Sequence, residues 1–120
     1  FKRVNDSWGH LAGDKVLRLV PKQIRSVLLK EDLMFRYGGE EFVIAFPNTS
    51  LPQAIERAEA IRLAVVKTPF NMQGEPVSIS ISIGIAELNA QEEPESLFSR
   101  ADKQLYLAKE AGRNKVMGNK

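Results

Sequence analysis

Arg36-Tyr37-Gly38-Gly39-Glu40-Glu41-Phe42-Val43-Ile44 is the stretch that decides the fold. Leu33-Met34-Phe35 stands before it, and the apolar run continues through Ala45-Phe46 after it. Two apolar runs on either side of Gly-Gly predict a β-hairpin. Glycine takes φ > 0 without strain and has no side chain, so a ligand can lie against the backbone of such a turn. Glu40 and Glu41 follow directly and repel each other unless a positive group stands between them. A divalent cation carrying a phosphorylated substrate would supply that charge. A solvated turn with two surface acids is the alternative reading. Strand residues alternate between faces, so the two carboxylates are expected to diverge, with Glu40 nearer the chemistry.

Outward from the hairpin, the pattern alternates between helical and strand periods. Residues 1–9 place Phe1, Val4 and Trp8 at helical spacing and predict a short helix that stops at Gly9. A turn over 9–13 follows, with Asp14 at an N-cap or in a first turn. Val16, Leu17, Val20, Ile24, Val27 and Leu28 form one apolar stripe, predicting a helix to about Leu29. Pro21 inside it predicts a kink or two helical pieces.

Beyond the hairpin, residues 47–50 read as a loop, with Thr49 or Ser50 capping a helix that has Pro52 in its first turn. That helix shows a face of Ala54, Ile55, Ala58, Ile61, Arg62 and Val65, ends near Lys67 and is stopped by Pro69. Residues 70–72 read as a short strand and 73–76 as a turn. Val77, Ile79, Ile81, Ile83 and Ile85 then alternate with small residues and predict one strand over 77–86. Its small face suggests that another element packs closely over it. Pro94 opens the last helix, whose face is Leu97, Ala101, Leu105, Tyr106 and Ala108, and Gly112 ends it. Val116-Met117 reads as a final edge strand. The order predicts an α+β fold with a mainly antiparallel central sheet flanked by helices.

The 120 residues make one domain over 1–120, and 43% hydrophobic residues suffice for a core. No apolar run approaches the ~20 residues of a membrane span, so no membrane contact by this domain is expected. The chain has no cysteine, which excludes a disulfide framework and a thiolate metal site. Its 17 basic and 15 acidic residues leave a net charge of +2, too balanced to argue for nucleic acid as partner. The absence of a signal-peptide pattern points to the cytoplasm, within a parent that is free or membrane-anchored. The chain lacks an initial Met and reads as a piece of a longer protein.

Two further clusters carry potential chemistry. Asn5 and Asp14 bring an amide and a carboxylate to neighbouring helix ends, a pair that matches the donor edge of guanine. A helix end and a helix cap explain the same two residues without a ligand. Lys109 and Arg113 bracket Gly112 at a helix C-terminus. They form a phosphate clamp, or they simply complement the helix dipole, worth ~0.3–1 kcal/mol. His10 and Trp8 read as structural.

These blocks occur in one order. Phe1-Lys2 with Asn5-Asp6, Gly9-His10 with Gly13-Asp14, Arg36 to Phe42, Ile83 to Ala86, and Ala101-Asp102 with Leu105-Tyr106, Ala108-Lys109 and Gly112-Arg113-Asn114 closely resemble the GGDEF domain of bacterial diguanylate cyclases. The resemblance covers nearly the whole chain. It implies a nucleotide-cyclase or palm-like sheet, and an enzyme that condenses two GTP into cyclic di-GMP with release of two pyrophosphates. It also implies a homodimer with one GTP per subunit and a sensor or receiver domain in the parent. By motif position, Asn5 and Asp14 would hold guanine, and Lys109, Arg113 and Lys2 the phosphates. Gly38 and Gly39 would lie against the nucleotide. Glu40 would ligate Mg²⁺ or Mn²⁺ and help deprotonate the attacking 3′-OH, with Glu41 assisting at the metal or orienting the site. The alternative is a non-catalytic module that binds GTP or cyclic di-GMP.

The chain departs from the family pattern in two places. The family has a metal-binding Asp three residues before the Phe-Lys pair, on a first central strand, and the sequence begins at Phe1, after it. A chain that truly starts there is expected to show little cyclase activity. Many members also carry Arg-x-x-Asp ahead of the Gly-Gly to bind product. The stretch here is Leu29-Lys30-Glu31-Asp32, so the guanidinium is missing and no tight product site is expected there.

Overall fold

Apolar residues on either side of a glycine turn gain most by pairing their backbones and burying one face together. The computed structural model describes residues 10–38, 41–72 and 74–118, and it contains that pair. β1 (Leu33–Gly38) and β2 (Glu41–Ala45) are antiparallel, with Leu33 opposite Ala45, Met34 opposite Ile44, Phe35 opposite Val43 and Arg36 opposite Phe42. The register then shifts so that Gly38 faces Glu41, leaving Tyr37 as the extra residue of a bulge. A bulge bends its strand and re-aims the side chains beside it.

α1 (His10–Arg25) takes in residues 10–13 of the stretch expected to turn at 9–13. Packing overrides local propensity here: Val16, Val20 and Ile24 are buried on one stripe, and that burial outweighs the roughly 1 kcal/mol cost of Gly13 in a helix. Asp14 therefore lies in the second turn and not at a cap. The helix is also continuous through Pro21, not split in two, and Pro21 is itself buried. α1 ends at Arg25, short of Leu29. The Ser26 hydroxyl donates to Gln23 O at 2.6 Å, a local bond that competes with helix propagation. The helix expected over 1–9 lies outside the described residues.

α2 (Leu51–Lys67) is capped by Ser50, with Pro52 in its first turn. The Ser50 hydroxyl accepts from Gln53 N, and the Gln53 side chain accepts from Ser50 N at 3.1 Å, closing a capping box. Its buried face is Leu51, Ala54, Ala58, Ile61 and Val65. Ile61 and Val65 join the α1 stripe, Phe70 and Ile79 in one core, while Leu51, Ala54 and Ala58 pack with Ile85 in a second.

The strand expected over 77–86 is divided. β3 (Pro69–Met72) and β4 (Glu75–Ser78) form an antiparallel hairpin, and β5 (Ile83–Ile85) pairs in parallel with β6 (Val116–Gly118). Residues 79–82 have no ladder partner among the described residues. The alternation still predicts burial, since Ile79 and Ile85 are both in the core. The described strands thus form three two-stranded ladders, two of them antiparallel, beside three helices.

α3 (Pro94–Glu110) lies directly over Gly84 of β5, as the small face of that strand suggested. A Cβ at Gly84 would meet Ala101 O and the backbone of Leu105. So close an approach makes the contact narrow. Ala108 is the buried residue of α3, and Leu97, Ala101 and Leu105 are half-buried. Tyr106, expected on the face, is 61% exposed because it follows Leu105 by about 100° around the helix. Among the described residues, no helix is long and apolar enough to cross a membrane.

Candidate functional site

The hairpin sets the geometry of the acidic part of the site. Gly38 closes β1 and Glu41 opens β2 directly opposite it, at the foot of the Tyr37 bulge. Glu41 is half-buried. Tyr37 reaches α3, where its ring centroid lies 4.7 Å from that of Phe98. Of the other residues expected in the site, Lys2, Asn5, Gly39 and Glu40 lie outside the described residues, and Asp14 is placed on α1 by its backbone.

Lys109 and Arg113 are positioned by the end of α3. Gly112 N–H donates to Lys109 O at 3.3 Å and Arg113 N–H donates to Ala108 O at 2.9 Å, the two bonds of a Schellman ending. Both side chains are exposed, and neither forms a hydrogen bond or ion pair among the described residues. They are exposed cations on a backbone shaped by the helix ending. No hydrogen bond or ion pair joins either of them to Glu41.

Sequence reasoning missed the next layer. Asn114 Oδ1 accepts from an Arg62 guanidinium nitrogen at 2.7 Å, and Asn114 N–H donates to Ser82 Oγ at 3.2 Å. The signal was present in part, since Arg62 is a charged residue within the apolar stripe of α2.

Asp32 is committed to the fold. Arg57 grips its carboxylate with both terminal nitrogens, one at 3.1 Å, and Leu29 N–H adds a bond at 2.7 Å. The Asp32 side chain is 1% exposed. Hydrogen bonds from Arg57 hold its pKa below the usual carboxylate value, and the guanidinium stacks on the Phe46 ring at 4.1 Å.

An open cleft of about 530 Å³ lies between α1 and the hairpin. Lys15, Arg18, Lys22 and Arg25 line it at helical spacing, with Arg36 and Phe42 opposite. Among the described residues none of its lining is acidic, so Lys15, Arg18, Lys22 and Arg25 give this side of α1 a positive field.

Among the described residues no three acids, histidines or cysteines gather as a metal cage. Of the two adjacent acids at the turn, Glu41 is described and Glu40 lies outside the described residues. A hard cation such as Mg²⁺ is commonly held by one or two carboxylates plus substrate phosphates, the donor chemistry that two adjacent glutamates offer.

The chain matches the family described as "Diguanylate cyclase, GGDEF domain" over residues 1–115. It is 47% identical over 116 residues to the diguanylate cyclase DgcP of Pseudomonas aeruginosa, covering 97% of this chain and 17% of that protein. The solved GGDEF domain of DgcB from Caulobacter crescentus, in complex with c-di-GMP, superposes with a TM-score of 0.91 at 37% identity, covering 98% of this chain and 70% of that one. The active GGEEF domain of a diguanylate cyclase from Vibrio cholerae superposes with a TM-score of 0.85 at 33% identity, covering 99% and 76%. The chain spans about a sixth to a third of the length of the curated relatives it matches.

Proposed function

This chain belongs to the GGDEF-domain family of diguanylate cyclases, and from that premise we propose that it is a catalytic domain that condenses two GTP into cyclic di-GMP and two pyrophosphates. The observation that carries the proposal is the intact Gly38-Gly39-Glu40-Glu41 run at an antiparallel hairpin. The similar Vibrio cholerae domain, described as active, has the same Gly-Gly-Glu-Glu-Phe form. Asn5 and Asp14 accept the guanine edge and select it over adenine. Gly38 and Gly39 let the nucleotide lie against the backbone. Lys109 and Arg113, with Lys2, neutralise the phosphates and the departing pyrophosphate.

Glu40 and Glu41 would hold Mg²⁺ or Mn²⁺, which when bound supplies charge stabilisation at the reacting phosphate. Glu40 takes the proton of the 3′-OH as that oxygen bonds to the α-phosphorus of the second nucleotide. The bond to pyrophosphate breaks in the same displacement. Each ring-closing attack joins two different GTP molecules, so two domains face each other as a homodimer with one GTP apiece. A sensor or receiver domain in the parent sets when they meet, and the reaction takes place in the cytoplasm.

Asp32 cannot serve product inhibition while Arg57 grips it, and Leu29 replaces the arginine that such a site needs. Incubating the intact protein with GTP and Mg²⁺ and analysing the products by mass tests the proposal. Cyclic di-GMP should form and should disappear in Glu40→Ala. GTP binding without turnover in the unsubstituted protein would instead identify a non-catalytic nucleotide-binding module.

A further inference from the structure

Three consecutive residues after α3 take the left-handed backbone conformation: Gly112 at φ 114°, Arg113 at 63° and Asn114 at 49°. Glycine does so freely. A residue with a Cβ is disfavoured there by about 1–2 kcal/mol and stays only where its surroundings hold it. The Schellman bonds account for Gly112 alone, because one left-handed residue is enough to end a helix. Arg113 and Asn114 need another restraint.

Asn114 supplies it from both its ends. Its N–H donates to Ser82 Oγ, and its side-chain oxygen accepts from Arg62, 52 residues away on α2. Arg62 is itself fixed, since its Nε donates to both carboxylate oxygens of Glu59 at 3.0 Å. The next residue is tied as well, with Ile83 N–H donating to Lys115 O at 3.0 Å. Within this net of bonds, the guanidinium of Arg113 is left exposed and without a hydrogen bond among the described residues. Arg113 is thus a cation without a partner among the described residues, on a strained and anchored backbone, which is the form a pre-organised anion ligand takes.

We propose that Arg62 and Ser82 are positioning residues for the substrate phosphates: acting through Asn114, they fix the left-handed path that presents Arg113. The inference rests on the reading of Arg113 as a phosphate ligand. A role confined to stability would tie α2 to the end of α3 without affecting the nucleotide.

Initial rates with GTP and Mg²⁺ in the intact protein separate the two. Arg62→Ala should raise KM for GTP about fivefold to tenfold with a smaller change in kcat, as expected for losing a charge-assisted hydrogen bond. Asn114→Gly is the second variant. It accepts the backbone conformation and so preserves folding, yet it lacks the amide and should raise KM in the same direction. In an Arg113→Ala background, Arg62→Ala should add less than about twofold, because the group it positions is gone. Variants that lower the melting temperature and leave KM unchanged overturn the positioning role. So does a KM effect of Arg62→Ala that persists undiminished without Arg113. If the unsubstituted protein binds GTP but Arg113→Ala does not weaken it, Arg113 is no phosphate ligand and the inference falls with it. A protein that binds no GTP at all overturns the cyclase reading itself.

Discussion

Gly84 has no room for even one more carbon. Its missing Cβ would stand against Ala101 O and Leu105 N, and 2.7 Å from Leu105 Cα, all of them backbone atoms that cannot rotate away. Gly84→Ala should therefore push α3 off β5 and lower stability by about 3 kcal/mol, at the upper end for overpacking. Urea unfolding should show an earlier midpoint with an unchanged slope. Gly74 provides the contrast, since nothing lies within 4 Å of its Cβ position and only its φ of 85° resists substitution. Asp32 is the other residue whose partner decides its role. Asp32→Ala strands a half-buried Arg57 and should lower stability by about 1–3 kcal/mol in a thermal melt. The response of the protein to cyclic di-GMP should stay as it was. Tight noncompetitive inhibition that vanishes in Asp32→Ala would contradict this assignment.

At the scale of an element, the loop before α3 is fastened by one carboxylate. Glu92 accepts from Arg100 Nε at 2.8 Å, from Ser96 Oγ at 2.8 Å and from Asn89 N at 3.1 Å. Arg100 also donates to Glu87 O, and the Glu87 carboxylate accepts from Leu51 N at 2.6 Å, which ties the loop to the start of α2. Hydrogen bonds from Arg100, then from Asn89 N–H, lower the Glu92 pKa from 4.5 to about 2. The folded-state pKa is the lower one, so the stabilisation is present above pH 4.5 and is lost as pH falls towards about 2. Melting temperatures between pH 5 and pH 2 should drop less steeply in Glu92→Gln than in the unsubstituted protein.

The ends of α2 and α3 were legible because their chemistry is local, with Ser50 and Gln53 at one start, Pro94 at the other and Gly112 past the last turn, whereas α1 was misjudged at both ends because burial set them. The central hairpin was legible for the same reason. The division of 77–86 was not, since alternation reports which side chains are buried and not whether a neighbouring strand exists. The Asp32–Arg57 and Arg62–Asn114 contacts join residues 25 and 52 apart, and no local pattern encodes such a meeting.

For the molecule as a whole, the near-balanced net charge of +2 hides an uneven distribution. The cleft between α1 and the hairpin gathers Lys15, Arg18, Lys22, Arg25 and Arg36, with no acid among the described residues of its lining. Arg36 and Phe42 of that lining flank the glycine turn, so a triphosphate approaching the turn crosses the positive field. Such a field raises encounter rates, and salt weakens it, since the Debye length is ~10 Å at 0.1 M. Arg18 and Arg25 are exposed and lie outside the proposed catalytic groups, which makes them suitable probes. The double reversal Arg18→Glu with Arg25→Glu should lower kcat/KM for GTP about threefold to tenfold at low salt and leave kcat near its original value. The gap between variant and unsubstituted protein should close as ionic strength rises. A gap that survives at 1 M salt would mean that the two arginines touch the nucleotide directly or support the fold, because screening removes a steering effect and leaves a contact largely in place.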